Sequence, residues 1–224
     1  MNVLVACECG QEVCKAFRER GHVAFSSDLQ ECYGGHPEWH IKGDALELLN
    51  GMKWFQTTDG TMYYVDKWDL IIAHPPCTYL TNTGNRWFDT GKYGKNAWNR
   101  MVERNKAIAF FYRFVMADCP RIAIENPVGC MSTAYRPCDQ TIQPWMFGHP
   151  TTKKTCLWLK GLPILQPTNV VEVDPSDVYE YVAAKGKIKH DCRSRSRCAV
   201  KDRSNHRSKT FNGIAKAMAE QWGL

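Results

Sequence analysis

Short apolar runs, each closed by turn-forming residues and several followed by a helical stretch, constrain this chain more than any other feature. Residues 3–6 (VLVA), 23–25 (VAF), 68–73 (WDLIIA) and 121–125 (RIAIE) are brief and nearly continuous in their apolar character. Runs of that kind, bounded by turn signals, fit strands covered on both faces. Between the first two, residues 11–20 place Val13, Ala16 and Phe17 at helical spacing, and Gly21 stops the helix. An amphipathic helix is predicted over 101–116, a strand over 155–159 (TCLWL) and an Ala-rich helix over 211–222. This alternation predicts an α/β fold with a doubly wound, mostly parallel sheet, in which ligands gather beyond the carboxyl ends of the strands.

A chain of 224 residues with 44% hydrophobic content can build one substantial core, so residues 1–224 are expected to form a single domain. No run approaches the roughly 20 apolar residues that cross a bilayer. The start MNVLVACECG lacks the basic and apolar regions of a signal peptide, and a cytoplasmic protein with no membrane partner is expected. Eleven cysteines, an odd number in a chain this long, read as thiols in a reducing compartment. The net charge of +6 is concentrated: residues 185–209 carry ten Lys or Arg against Asp191 and Asp202. Such a block attracts phosphates, or else forms a solvated loop. Within it His190, Cys192, Cys198 and His206 are legitimate zinc ligands, but their spacing matches no paired C-x-x-C knuckle, and no metal site is assigned. Residues 80–99 show no period and read as a long functional or mobile loop.

Reactive residues collect at the strand ends. Ala6, Cys7, Glu8, Cys9 and Gly10 precede a helix, whose first N–H groups suit a carboxylate or phosphate. The loop is not GxGxxG, so a dinucleotide is poorly supported. Asp28 ends the second apolar strand, where a carboxylate commonly accepts from ribose hydroxyls, and Asp44 comes at the next strand or loop edge; each also reads as a helix N-cap. Pro75-Pro76 holds Cys77 at a defined place on the sheet rim, fit for a nucleophile. Glu125, ahead of Asn126-Pro127, is expected to have a raised pKa in a partly buried pocket and to act as a general acid, or to cap the following turn. A thiol and a carboxylic acid are the two groups needed to make carbon 5 of a pyrimidine nucleophilic. Thiolate adds at carbon 6 while the acid protonates nitrogen 3.

These motifs, VLVACECG, DLIIAHPPC, RIAIENP, then 143–159 (QPWMFGHPTTKKTCLWL) and 208–222 (SKTFNGIAKAMAEQW), resemble in order and placement those of the cytosine-5 DNA methyltransferase family, especially its short phage-type members. The resemblance implies a Rossmann-like S-adenosylmethionine-dependent methyltransferase fold acting on DNA, in the host cytoplasm if phage-encoded. Cys77 would be the nucleophile and Glu125 the acid, with Lys153 and Lys154 near the flipped nucleotide. The cofactor would contact Ala6, Cys7, Glu8, Gly10, Asp28, Leu29, Asp44, Ala45, Pro75, Asn212 and Gly213, with Asp28 toward the ribose and Asp44 toward the adenine. Residues 78–99 would be the catalytic loop, with Asn82 and Arg86 contacting nucleic acid and Trp87, Phe88, Tyr93 and Trp98 available for stacking; Trp98 alternatively pins the loop to the core.

The chain departs from the family in lacking length for a separate target-recognition domain. Residues 161–207 form a reduced basic segment in its place, with Arg193, Arg195, Arg197, Lys201 and Arg203 toward phosphates. Lys153-Lys154 also stands where the family has Gln and Arg. Other readings stay open: a cytosine nucleotide as substrate, a modified sulfonium donor, or a catalytically idle nucleic-acid-binding protein. An amino-methyltransferase, suggested by HPPC, needs an aromatic where Cys77 stands.

Overall fold

A computed structural model of the chain describes residues 1–49, 53–173, 179–183, 187–191 and 210–224. Its strands, in chain order, are β1 (Asn2–Ala6), β2 (Val23–Asp28), β3 (His40–Lys42), β4 (Trp54–Gln56), β5 (Met62–Tyr64), β6 (Leu70–Ala73), β7 (Ile122–Pro127), β8 (Gln140–Ile142), β9 (Thr155–Lys160), β10 (Tyr179–Ala183) and β11 (Lys187–Asp191). The helices are α1 (Glu12–Glu19), α2 (Ala45–Leu49), α3 (Thr90–Tyr93), α4 (Lys95–Val115), α5 (Met131–Ala134) and α6 (Asn212–Trp222).

Seven strands form one sheet in the order β3-β2-β1-β6-β7-β9-β8. The first five pair in parallel, and β9 runs antiparallel to both of its neighbours. The expected doubly wound, mostly parallel, Rossmann-like sheet is therefore what the chain forms. Its order reverses between β1 and β6, which opens a crevice at their carboxyl ends.

Side-chain alternation along each strand divides the core into two layers. Val3, Val5, Leu70 and Ile72 pack with Phe17 of α1 and Met218 and Trp222 of α6. Leu4, Ala6, Ile71 and Ala73 face the other way, toward Phe111 and Phe114 of α4. Burying each such phenylalanine contributes about 1.5–3 kcal/mol.

Several elements differ from expectation for identifiable reasons. β2 continues past Phe25 through Ser26 and Ser27, both fully buried. The Ser26 hydroxyl is satisfied inside by Gln11 Nε2 at 3.2 Å and the His40 ring at 2.9 Å, so a polar pair continues the strand. Residues 80–99 are largely helical: a 3₁₀ turn at Asn82–Phe88, α3, and an α4 that begins six residues before Met101. Thr81 Oγ1 and Asp89 Oδ1 cap two of these turns by accepting from the N–H of Thr83 and Lys92, each at 3.1 Å. Of residues 81–99 only Ala97 is buried, so no apolar period marks the helices. The β4–β5 hairpin packs Phe55 and Tyr63 on Phe25, with ring centroids 5.0 and 4.8 Å away. Short polar strands such as β8 carry no apolar signature, and β10–β11 lies within the segment read as basic recognition region. Among the described residues no helix is long and apolar enough to cross a membrane.

Candidate active site

The strand order lines up the predicted groups along one rim, with His74 added to them: Asp44 beyond β3, Asp28 at the end of β2, Cys7 and Glu8 beyond β1, His74 and Cys77 beyond β6, Glu125 on β7 and Lys153 ahead of β9. Cys77 leaves the sheet in a turn whose carbonyl accepts from the N–H of Leu80 and Thr81, both at 3.0 Å. Pro75 and Pro76 have no N–H to anchor that turn, so other groups anchor it through its carbonyls. Asn126, 1% exposed, donates its side-chain amide to the Pro75 carbonyl at 2.8 Å. Arg100 Nη2 donates to Thr78 O at 3.0 Å and Arg104 Nε to Tyr79 O at 2.8 Å. The Cys130 N–H donates to Leu80 O at 2.8 Å. Cys77 is half-buried at this anchored turn, and the described cysteines are all thiols.

Glu125 does not cap the turn that follows it. Its Oε2 lies 2.8 Å from His74 Nδ1, with the two side chains 14% and 9% exposed. Desolvation is the largest influence on the Glu125 carboxyl and pushes its pKa up. The hydrogen bond and charge of His74, together with the charge of Lys153, outweigh it and hold the carboxyl below the usual range. The expectation of a raised pKa is thereby corrected: burial alone would have raised it, but a buried cation beside it reverses the sign. On His74, desolvation opposes the charged form, yet the Glu125 hydrogen bond and charge, with a smaller contribution from Glu8, raise its pKa. Lys153 lies beside Glu125 in a small crevice closed by Thr155, Thr210, Phe211, Ile214 and Met218, so the start of α6 comes back to this rim. Lys154 is exposed and acts on Cys156 instead, so the structure brings only one of the two lysines to Glu125.

The loop after β1 holds a second correction. The amino end of α1, expected to receive a ligand carboxylate or phosphate, is filled by the chain itself. Glu8, 7% exposed, accepts from the N–H of Val13 at 2.7 Å and of Cys14 at 3.2 Å. These N–H groups lack partners within the helix, which is why a nearby carboxylate settles on them. Burial still raises the Glu8 pKa, against the charge of His74 and these two bonds. Cys7 takes a left-handed backbone (φ 61), and burial, then the carboxylates of Asp28 and Asp44, push its thiol up to about 12. Both aspartates therefore act on this loop. Asp28 Oδ1 also accepts from Gln30 N–H at 2.9 Å, and Asp44 Oδ1 from Leu46 N–H at 2.9 Å at the start of α2.

The remaining predicted residues divide. Ala6 and Ala45 are buried in the core and Pro75 is buried, whereas Leu29 is 74% exposed. Gly10 is covered by the Tyr33 ring. Asn212 is exposed, and the Gly213 N–H is already donated to His149 Nε2 at 3.0 Å. Asn82 and Arg86 are exposed beyond Cys77, with Arg86 over the Trp87 ring at 4.8 Å. Trp98 is 62% exposed and does not pin the segment to the core. Arg193, Arg195, Arg197, Lys201, Arg203, Cys192, Cys198 and His206 lie outside the described residues. Three participants were not singled out from sequence: His74, and the anchors Arg100 and Arg104. A histidine directly after a buried strand, ahead of Pro-Pro and at the sheet's reversal point, was the available signal for the first.

No family model and no curated protein matches the chain. Among solved structures it is similar to a candidate DNA modification methyltransferase encoded within a prophage (E. coli), at 17% identity and a TM-score of 0.48, over 77% of this chain and 52% of that one. The chain thus spans about half the length of that protein. At that distance the likeness assigns neither substrate nor activity.

Proposed function

We propose that the chain methylates carbon 5 of cytosine in DNA, with Cys77 as nucleophile and Glu125 as the acid at ring nitrogen 3. The observation that carries this reading is the bond from Asn126 to the Pro75 carbonyl, which ties the turn bearing Cys77 to the strand bearing Glu125. In the reaction, Cys77 Sγ bonds to carbon 6 as nitrogen 3 takes a proton from Glu125, and carbon 5 becomes the nucleophile that methyl transfer requires. The carbon 5 hydrogen then leaves as a proton to solvent. The carbon–sulfur bond breaks to restore the thiolate, and nitrogen 3 returns its proton to the Glu125 carboxylate.

S-adenosylmethionine would supply an electrophilic methyl group on a positively charged sulfur. The rim suits it. Asp28 and Asp44 provide negative charge around Cys7, and the Ser27 hydroxyl, buried beside Asp28, has no hydrogen-bond partner among the described residues. Carboxylates and a hydroxyl are the groups that engage ribose hydroxyls, and the negative charge complements a sulfonium. DNA as substrate is supported by exposed Asn82, Arg86 and Trp87 beyond Cys77 and by the basic composition of residues 185–209.

The test combines labelled methyl donor with DNA containing 5-fluorocytosine, which cannot release its carbon 5 substituent. A denaturant-stable adduct is expected, absent in Cys77→Ser. Label on adenine, or on no nucleic acid or nucleotide at all, rejects the proposal.

A further inference from the structure

The reaction above asks Glu125 to deliver a proton, yet, against desolvation, the His74 hydrogen bond and the charges of His74 and Lys153 hold the pKa of that carboxyl below the usual range. His74 resolves the conflict. We infer that His74 is the positioning residue for Glu125 and the store of the proton that Glu125 passes to nitrogen 3 of the target ring. This inference rests on the methyl-transfer reading.

Three observations support it. The contact is direct: His74 Nδ1 and Glu125 Oε2 are 2.8 Å apart, a distance at which a proton moves without an intervening water. Both side chains are largely excluded from solvent, so exchange with bulk water competes poorly with the neighbour. The far ring nitrogen, Nε2, is buried without a hydrogen-bond partner among the described residues, so Glu125 fixes the ring through Nδ1. The backbone holds the ring from the other side, because the His74 N–H donates to Ala6 O at 2.9 Å across the reversal point.

The charged groups acting on His74 come from each neighbouring element: Glu125 on β7, Glu8 after β1 and Lys153 before β9. The two carboxylates favour the imidazolium and Lys153 opposes it, leaving the ring a stronger base than an ordinary histidine. With its pKa raised, the ring keeps its proton to higher pH than an ordinary histidine, within hydrogen-bond reach of the carboxylate that has to deliver it.

Proton movements balance in both directions. The His74 Nδ1–H bond breaks as an O–H bond forms at Glu125 Oε2, and that same proton passes on to nitrogen 3, leaving a neutral imidazole and the Glu125 carboxylate. When the carbon–sulfur bond breaks, nitrogen 3 gives its proton back to the Glu125 carboxylate, which returns it to His74 Nδ1. The only proton lost to solvent is the one from carbon 5.

The experiment uses the full chain and the variants His74→Gln and His74→Asn, the second guarding against a folding defect in the first. Carbon-13 spectra of the Glu125 carboxyl, assigned with Glu125→Gln, are titrated without substrate. A midpoint below the ordinary value of about 4.3 is expected in the parent and a higher one in both variants. With DNA and methyl donor, both variants should lose on the order of 10- to 100-fold in kcat with little change in KM. The fall in activity as pH rises past the histidine should disappear with the ring. An unmoved Glu125 midpoint, or an unchanged kcat and pH profile in an active enzyme, overturns the role of His74. A parent that forms no adduct and methylates nothing overturns the methyl-transfer reading and the relay together, while the carboxyl titration still decides the pairing.

Discussion

Gly129 runs so close beneath the Leu80 carbonyl that a side chain at Gly129 would overlap the backbone there. The same carbonyl accepts from Cys130 N–H, and Thr81 bridges Gly129 across the two segments. The chain leaving β6 after Cys77 and the chain leaving β7 after Glu125 are thus laid side by side. Gly129→Ala should lower stability by about 1–3 kcal/mol, because overpacked backbone has to shift. Chemical denaturation measures this, and an unchanged midpoint would contradict the arrangement.

Glu125→Gln keeps the shape of the side chain and removes its ability to carry a proton. Adduct formation with 5-fluorocytosine DNA should slow on the order of 10²- to 10⁴-fold. Binding of the methyl donor should change only a few-fold, since Asp28 and Asp44 lie elsewhere on the rim. Comparable losses in both measurements would remove Glu125 from the acid role.

Arg104 donates to Tyr79 O and to Asn85 Oδ1 while its guanidinium lies 3.6 Å from the Phe88 ring centroid. A lysine offers one compact charge and cannot satisfy this set together. Arg104→Lys should slow adduct formation with little loss of thermal stability. A variant with the parent's rate would show that the turn after Cys77 needs no such clamp.

Asp139 accepts from Arg136 through both oxygens, at 2.8 and 2.7 Å, and from Leu159 N–H at 2.7 Å. The Arg136 hydrogen bonds, partly opposed by desolvation, hold its pKa below the usual range. A depressed acid stabilises the fold above its unfolded pKa of about 3.9 and loses that contribution as pH falls through the folded value. Asp139→Asn should therefore be less stable than the parent at pH 7, with the gap closing in acid. A gap of equal size at pH 7 and at pH 2 would contradict this account.

Thiol reactivity offers a check that needs no substrate. Cys7, with its thiol pushed up to about 12, and fully buried Cys14 should be among the last labelled by iodoacetamide at pH 8, after half-buried Cys77. Peptide mass spectrometry gives the order, and labelling of Cys7 as fast as Cys77 would contradict it.

What could be read in advance follows the physics of each segment. β1 and β6 were legible because both faces are covered, which demands continuous apolar residues. The end of β2 was hidden because Ser26 and Ser27 look like a turn until Gln11 and His40 arrive to satisfy Ser26. The first turns of α4 were hidden because an exposed helix needs no apolar face. Cys77 and Glu125 stood out because each follows or ends a short strand in a compact motif. The pairing of Glu125 with His74, 51 residues away, depends on β6 and β7 being neighbours and could not be read locally. Glu8 looked like a ligand contact because a carboxylate beside a helix start has the same signature whether it binds a guest or seals the helix.

That seal sets a rule of admission. A metabolite whose anchor is a phosphate would have to evict Glu8, and the eviction would unsettle the very helix whose first turn offers the docking point. Nucleotides held by their phosphates are thereby disfavoured at this corner by the way the chain starts α1, before any question of shape arises.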